Sequence, residues 1–203
     1  MTQQRCYRVD NVDLNMKPLF PASSKEYEGD NMDLLERFAQ GELEAFETVF
    51  RQFQGEVFGW IVRIVRDPGI AEDLTVETFW RVYRVRSRFD PTRSFGAWAR
   101  RIATNLALDY LKTVRPEVSL TEDQAQVAPN DPVIQRDIRE PIEQAFLHLP
   151  AKLQVVARLA LIEQEPYETI AQAVGISVGA VKSRVFRAVR LMRTELKRMG
   201  IEP

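Results

Sequence analysis

The chain has 203 residues, a formal net charge of −1 and a hydrophobic content of 45%. This length is enough for one large or two small domains, each with a buried core. Because the chain holds one cysteine, Cys6, and one histidine, His148, an intrachain disulfide is excluded and no Cys/His cluster has zinc-site spacing. No apolar run approaches the ~20 residues of a membrane span, and the N-terminus lacks the apolar stretch of a signal peptide. We therefore expect a cytoplasmic protein with no membrane insertion.

Basic residues are concentrated in two segments of the chain. Nine Lys/Arg accompany two Asp/Glu between Arg81 and Arg115, and seven accompany one between Val178 and Met199. Since the remainder is acidic, a net charge near zero conceals two surfaces suited to a polyanion such as nucleic acid. The alternative is two solvated helix faces without a partner.

Helical periodicity begins near Asn31. Residues 1–30 show no sustained period and are predicted to form a flexible extension. A short helix ends at Gly41, and a longer one carries apolar residues at helical spacing as far as Val65. No β pattern of any length occurs, so we predict an all-α fold.

Two more helices follow, each with its own start signal. Asp67 and Pro68 predict an N-cap and a first helical turn, where the missing N–H of proline costs least. Ser94 is predicted to cap the next helix, whose pattern breaks near residue 115. Residues 115–136 contain prolines and scattered acids and read as a flexible linker between two helical domains, 31–114 and 137–199.

The second half contains the most specific local pattern, PYETIAQAVGISVGAVKSRVFRAVRLMR, which follows a predicted helix over 152–163. Gly175 permits the left-handed conformation that ends a short helix, and Ser177 caps the next one. Small and apolar residues then face inward and leave five cations outside: Lys182, Arg184, Arg187, Arg190 and Arg193. This pattern indicates a helix-turn-helix whose second helix suits a major groove, with an ordinary αα-hairpin as the alternative.

Aromatic and basic side chains are interleaved near the fourth helix. Phe95 and Trp98 lie beside Arg93 and Arg101, which suits single-stranded DNA because bases stack on aromatic rings. Asn105 follows Trp98 by two turns and carries an amide that can pair with a base edge. The alternative is that both rings are core residues, and we expect Trp98 to be largely buried while the arginines and Asn105 are exposed.

The preceding helix has an acidic and apolar character. Glu72, Asp73 and Glu77 lie near one face, beside Leu74 and Thr78. An acidic and apolar helix next to a basic one suits a protein partner together with a DNA partner.

These motifs together resemble the extracytoplasmic-function (ECF) sigma factors, the minimal two-domain members of the bacterial sigma-70 family. DPGIAEDLTVETFWRVYR is similar to their polymerase-binding helix, and FDPTRSFGAWARRIATNLALDYLK to the loop and helix that open and read the minus-ten element. LPAKLQVVARLALIEQEPYETIAQAVGISVGAVKSRVFRAVRLMR is similar to their minus-thirty-five domain. The resemblance covers about residues 32–199, with the motifs in the family's order and spacing.

The resemblance implies a sigma factor that directs core RNA polymerase to promoters and helps to open them. The implied polymerase contacts are Asp73, Leu74, Glu77 and Phe79. The implied minus-ten contacts are Arg93, Ser94, Phe95, Trp98, Arg101 and Asn105, with a flipped base held by the turn 89–95. The implied minus-thirty-five contacts are Ser177, Lys182, Ser183, Arg184, Phe186 and Arg187. An anti-sigma factor and a stress-response regulon are further implications of the family.

The chain differs from the family's usual pattern at two places. Val76 stands where a polar amide is common. Gln164, Glu165 and Pro166 stand where glycine, an apolar residue and serine are usual.

Three other classes of protein are weighed against this interpretation. A free-standing DNA-binding regulator would use the N-terminal helices for dimerisation, and a helical scaffold would bind no DNA. An enzyme would need a general base, a nucleophile, a metal set or a phosphate loop, and the sequence shows none of them. We therefore predict no enzymatic activity, no cofactor and no small-molecule substrate.

Overall fold

The computed structural model describes residues 31–114 and 139–201, and within these ranges every regular element is helical. The predicted extension and linker lie outside the described residues. The all-α prediction is confirmed for the described part of the chain. The elements are α1 (Asn31–Gln40), α2 (Leu43–Val65), α3 (Pro68–Arg84), a 3-10 turn (Arg86–Arg88), α4 (Phe95–Val114), α5 (Arg139–Leu147), α6 (Ala151–Ala157), a π-helical turn (Arg158–Ile162), α7 (Tyr167–Val174) and α8 (Val178–Arg198).

The start signals in the sequence correspond to real caps. The Asp67 carboxylate accepts a hydrogen bond from the Ile70 amide at 3.1 Å, and Pro68 opens α3. The hydroxyl oxygens of Ser94 and Ser177 accept from the amides three residues later, at 3.3 and 3.2 Å. Each bond satisfies an amide that has no partner within its own helix. Gly175, with φ of +73°, ends α7 in the left-handed conformation.

The core of the first half lies where α2 meets α3 and α4. Trp60, Ile61 and Ile64 of α2 are fully buried there. Phe38 of α1 packs edge-on against Phe95 of α4, with ring centroids 5.6 Å apart. Aromatic contacts therefore position the start of α4 against α1.

The helix predicted over 152–163 is regular only in its first half. After Ala157 it widens into the π-helical turn, which begins at Arg158. Arg158 is buried, lies over the Phe146 ring and donates from Nη2 to Glu143 at 2.7 Å. The Nε and Nη1 atoms of Arg158 have no hydrogen-bond partner. A π-helical turn, which is rare, therefore begins at a buried charge with two unsatisfied donors.

The two halves of the chain pack against each other. One hydrophobic core runs from α2 and α4 into α6, α7 and the first turns of α8. Ile170 and Ala173 of α7 are buried in it. A smaller cluster joins α5, α6 and α8 around Phe146 and Met192. The helix-turn-helix thus lies directly on α4.

Candidate protein-binding and nucleic-acid-binding surfaces

The predicted polymerase contacts on α3 divide into surface and core residues. Asp73 is exposed, while Leu74 and Glu77 are partly exposed. Phe79 is 2% exposed and packs edge-on against Phe50, with ring centroids 4.8 Å apart. A direct contact between Phe79 and a partner, as implied by the resemblance, is therefore not available in this structure. Its ring instead holds α3 on α2.

Two other apolar side chains, rather than Phe79, are exposed on the surface of α3. Val76 is 66% exposed and Trp80 is 56% exposed, and the spacing of four residues places them on one face. Glu77 lies beside them and pairs with Arg81 at 2.8 Å. Sequence reasoning missed Trp80, although the i, i+4 spacing of two apolar residues outside the core stripe was a usable signal.

The loop before α4 is ordered around one aspartate. The Asp90 carboxylate accepts from the Thr92 hydroxyl at 2.6 Å and from the Thr92 amide at 3.1 Å. Arg93 lies 3.3 Å from the same carboxylate. The two hydrogen bonds from Thr92, followed by the charge of Arg93, lower the pKa of Asp90 below its ordinary value. The loop is therefore organised by a carboxylate that stays ionised at neutral pH.

The aromatic residues near this loop form a connected cluster. Phe95 is 2% exposed and contacts Phe53, Phe89 and Trp98, with centroid distances of 4.7, 5.5 and 5.8 Å. Phe95 is therefore a core residue, which is the alternative given in the sequence analysis. Its ring cannot contact a base directly in this structure. Trp98 is partly exposed and lies 4.8 Å from the Phe89 ring. Trp98 thus forms the outer edge of the cluster.

The polar residues predicted for minus-ten DNA are on the surface. Arg93, Arg101 and Asn105 are exposed, and Ser94 is exposed while it caps α4. Arg100 differs, because it lies 3.5 Å from Glu56 and its guanidinium is 5.5 Å from the Trp60 ring centroid. Arg101 and Asn105 are four residues apart and so share one side of α4.

The second helix of the helix-turn-helix, α8, presents a compact polar and aromatic surface. Lys182, Ser183, Phe186 and Arg187 line one shallow depression. Phe186 is 71% exposed, and the Arg187 Nε donates to the Ser183 carbonyl at 3.4 Å. Ser177 caps this helix, and Arg184 is partly buried at its edge. All six residues predicted for minus-thirty-five DNA therefore lie on or next to the first half of α8.

The outward cations in the first three quarters of α8 have no ion-pair partner within the described residues. None of the ion pairs found within residues 31–114 and 139–201 involves the five outward cations of this helix, which are Lys182, Arg184, Arg187, Arg190 and Arg193. Unpaired guanidinium and ammonium groups on one helix give this surface a positive charge that is compatible with phosphate groups.

Neither a metal site nor a membrane-spanning helix is found in the part of the chain that the structure describes. No group of three His, Cys, Asp or Glu side chains within the described residues is placed to hold a metal ion. No helix in the same ranges combines the length and the apolarity needed to cross a bilayer.

The fold and these surfaces define an all-α protein with a helix-turn-helix and a separate acidic and apolar helix. Residues 49–116 match the family model of sigma-70 region 2, and residues 139–192 match that of sigma-70 region 4. The chain belongs to the ECF sigma factors of the sigma-70 family. Sigma factors are non-catalytic initiation factors, and this one directs core RNA polymerase to specific promoters.

Relatives from several bacteria support the assignment. The chain is 33% identical over 175 residues to the RNA polymerase sigma factor CarQ of Myxococcus xanthus, covering 83% of this chain and 98% of the relative. It is 28% identical over 177 residues to the ECF sigma factor SigW of Bacillus subtilis, covering 80% and 95%. The solved structure of CnrH in complex with the cytosolic domain of CnrY has the same fold. Its TM-score is 0.52 and its identity 21%, covering 83% of this chain and 98% of that one.

Proposed function

We propose that α3 is the main polymerase-binding element and that Asp73, Val76, Glu77 and Trp80 form its contact surface. The observation that carries this proposal is the exposure of Val76 and Trp80 beside two carboxylates. A large exposed apolar side chain rimmed by charges is typical of a protein-binding surface. Phe79 contributes indirectly, by fixing α3 on α2.

We assign recognition of the minus-ten element to the loop 89–95 and to the exposed side of α4. Arg93, Arg101 and Asn105 supply donors for phosphates and base edges, and the outer edge of Trp98 supplies a surface for stacking. Phe95 lies beneath these side chains as a buried member of the aromatic cluster. An extruded base costs a few kcal/mol of unstacking, which a preformed loop held by Asp90 helps to offset.

The minus-thirty-five element is assigned to α8 in a major groove. Lys182 and Arg187 suit phosphates or guanine edges, and the exposed ring of Phe186 suits an apolar contact with a thymine methyl group. The linker would let regions 31–114 and 137–199 reach both promoter elements at once.

Restraint by an anti-sigma factor in the cytoplasm is part of the proposed function, as is control of a stress-response regulon. A protein that covers Trp80 and Val76 would exclude polymerase from α3. The exposed apolar side chains on α3 and α8 support such a partner, because free apolar surface favours association. The chain itself is proposed to catalyse no reaction.

Run-off transcription with purified core polymerase tests the proposal. The wild-type chain is expected to start RNA synthesis at a promoter of its host, and Asp73→Arg is expected to weaken both core binding and transcription. Glu36→Arg, a change of the same charge on exposed α1, serves as the control and is expected to leave both unchanged. Unaltered core binding by Asp73→Arg and Trp80→Ala would overturn the assignment of the α3 surface.

A further inference from the structure

The loop 89–95 begins and ends at an aromatic residue, and both of these residues are buried. The ring centroids of Phe89 and Phe95 lie 5.5 Å apart in an edge-on contact. Most of the residues between them are exposed. The two rings therefore hold the ends of an exposed loop close together.

A third ring, which comes from α1, packs against both ends of the loop. Phe38 is fully buried, and its ring centroid lies 6.2 Å from that of Phe89 and 5.6 Å from that of Phe95. Both contacts are edge-on, which is a favoured geometry for aromatic pairs. One side chain that lies about fifty positions earlier in the chain thus contacts the two residues that define the loop.

A second contact joins the end of α1 to the segment that leads into the loop. Gly41 follows α1 with φ of +95°, a conformation that favours glycine. The guanidinium of Arg86 lies so close to it that a Cβ on Gly41 would stand 2.8 Å from the Arg86 Nε and Nη2. The same guanidinium lies over the Tyr83 ring and donates to the Tyr83 carbonyl at 2.8 Å. Arg86 therefore links the 3-10 turn before the loop to both α1 and α3.

The surface of α1 does not suggest a direct contact with DNA. Its exposed charged side chains include Asp33 and Glu36. Its cation, Arg37, donates from Nε to the Glu42 carboxylate at 2.7 Å. The helix also precedes residues 49–116, the part of the chain that matches region 2. An effect of α1 on promoter recognition would therefore be indirect and would act through the position of the loop.

We infer that α1 positions the loop for minus-ten recognition, with Phe38 as the main positioning residue and Arg86 as the second. The inference rests on the proposed function of the loop 89–95. A loop that is ordered before DNA arrives does not have to be ordered when an extruded base binds, so less binding free energy is lost. Loosening either contact lowers the fraction of molecules with a competent loop and weakens the apparent affinity by the same factor.

Hydrogen exchange of the Thr92 amide measures the order of the loop without DNA, because this amide donates to Asp90 within the loop. Phe38→Leu keeps an apolar side chain but removes the ring contacts. It is expected to reduce the protection of Thr92 at least about threefold through local opening. Urea unfolding of the same variant establishes that it is folded under the conditions of the measurement.

A buried residue of the same half provides the matched control. Ile64→Val also removes part of a buried apolar side chain. Ile64 lies about 16 Å further along α2 than Phe53, which contacts Phe95 in the aromatic cluster. Ile64→Val is expected to lower the global stability by a similar amount and to leave the protection of Thr92 unchanged.

Two arginines of the 3-10 turn provide an independent comparison that does not disturb the core. Arg86→Ala removes the contact with Gly41 and is expected to reduce the protection of Thr92 at least about twofold. Arg88→Ala removes the same charge from an exposed position of the same turn. It is expected to leave the protection of Thr92 as it is in the parent.

Binding of single-stranded DNA links the order of the loop to recognition. The full chain in complex with core polymerase is titrated with a fluorescent oligonucleotide that carries the non-template strand of a minus-ten element from a promoter of its host. Phe38→Leu is expected to weaken this binding at least about threefold while affinity for core polymerase is unchanged. Ile64→Val is expected to keep both affinities. A purely structural role of Phe38 would make the two variants behave alike.

The outcomes separate the inference from the proposed function. Equal protection of Thr92 in Phe38→Leu and Ile64→Val overturns the inference, whatever the titration shows. Reduced protection with unchanged affinity for the oligonucleotide also overturns it, since loop order would then not affect binding. If the parent complex does not bind the oligonucleotide, the proposed role of the loop is rejected, and the inference is rejected with it.

Discussion

The indole Nε1 of Trp60 donates a hydrogen bond to the Thr104 hydroxyl at 2.9 Å, and both side chains are fully buried between α2 and α4. The Thr104 hydroxyl in turn donates to the Arg100 carbonyl at 2.7 Å. The guanidinium groups of Arg63 and Arg100 lie 5.1 and 5.5 Å from the centroid of the same indole ring. One buried tryptophan therefore links the position of α4 to Arg63, which pairs with Glu165 in the second half of the chain.

Removing the Thr104 hydroxyl is expected to destabilise the protein. Thr104→Val keeps the shape of the side chain but leaves the buried Trp60 N–H without an acceptor, which costs about 1–3 kcal/mol. Urea unfolding followed by circular dichroism measures the difference. Thr113→Val is the control, because Thr113 also donates to the carbonyl four residues earlier but is exposed. Equal stabilities of the two variants would show that the Trp60–Thr104 bond contributes nothing.

Alanine substitution of two neighbouring aromatic residues of α3, Phe79 and Trp80, is expected to affect different properties of the protein. Phe79→Ala leaves a cavity against Phe50 and is expected to lower the free energy of unfolding by about 3–5 kcal/mol. Trp80→Ala is expected to leave stability within about 0.5 kcal/mol and to weaken binding to core polymerase by at least about tenfold. Urea unfolding and a core-binding titration give the two values. If Trp80→Ala binds core normally, the assignment of the α3 surface is wrong.

Because Arg158 is buried, we expect removal of Arg158 and removal of its partner Glu143 to change the stability of the protein by different amounts. Arg158→Met removes two unsatisfied donors and leaves Glu143, which is 45% exposed at its side chain, free to be hydrated. This variant is expected to be as stable as the parent or up to about 1 kcal/mol more stable. Glu143→Ala leaves the guanidinium buried without its carboxylate and is expected to cost about 3 kcal/mol. Thermal unfolding of both variants tests this prediction. A larger loss of stability for Arg158→Met than for Glu143→Ala would contradict it.

The loop before α4 is expected to keep its order over a wide pH range. Since the pKa of Asp90 is lowered in the folded state, its contribution is complete above the unfolded pKa and is lost as pH falls through the folded value. Hydrogen exchange of the Thr92 amide, corrected for intrinsic rates, is expected to show constant protection from pH 8 to about pH 5. Asp90→Asn is expected to reduce this protection at every pH, whereas Asp109→Asn is not. A loss of protection between pH 7 and pH 5 would contradict the assignment.

The cations of α8 are expected to carry the salt dependence of promoter binding. For the polymerase complex, Arg187→Ala is expected to weaken promoter binding and to reduce the salt slope by about 1 between ~50 and ~200 mM. Arg51→Ala, on the exposed side of α2, is the control and is expected to keep the slope. Phe186→Ala is expected to change base preference more than the salt slope. An unchanged slope for Arg187→Ala would place this side chain away from phosphate.

Local signals in the sequence were sufficient for several helix ends, although they did not predict the π-helical turn within 152–163. Asp67, Ser94, Gly175 and Ser177 act through hydrogen bonds and backbone angles that reach no further than about four residues. Such short-range effects can be read from neighbours in the chain. The resemblance to ECF sigma factors, confirmed by the family matches, likewise depends on linear motifs in a fixed order.

Burial of individual side chains depended on contacts between distant parts of the chain. The exposure of Trp80 and the burial of Phe79 and Phe95 depend on which helix packs on each face. The ion pairs Arg63–Glu165 and Arg66–Glu163 join residues about one hundred positions apart and have no local signature. The sequence by itself thus determined the helices, their caps and the family, through short-range chemistry. The tertiary structure alone decided which side chains remain exposed and how the two halves pack together, because these properties arise when distant helices exclude water from a shared surface.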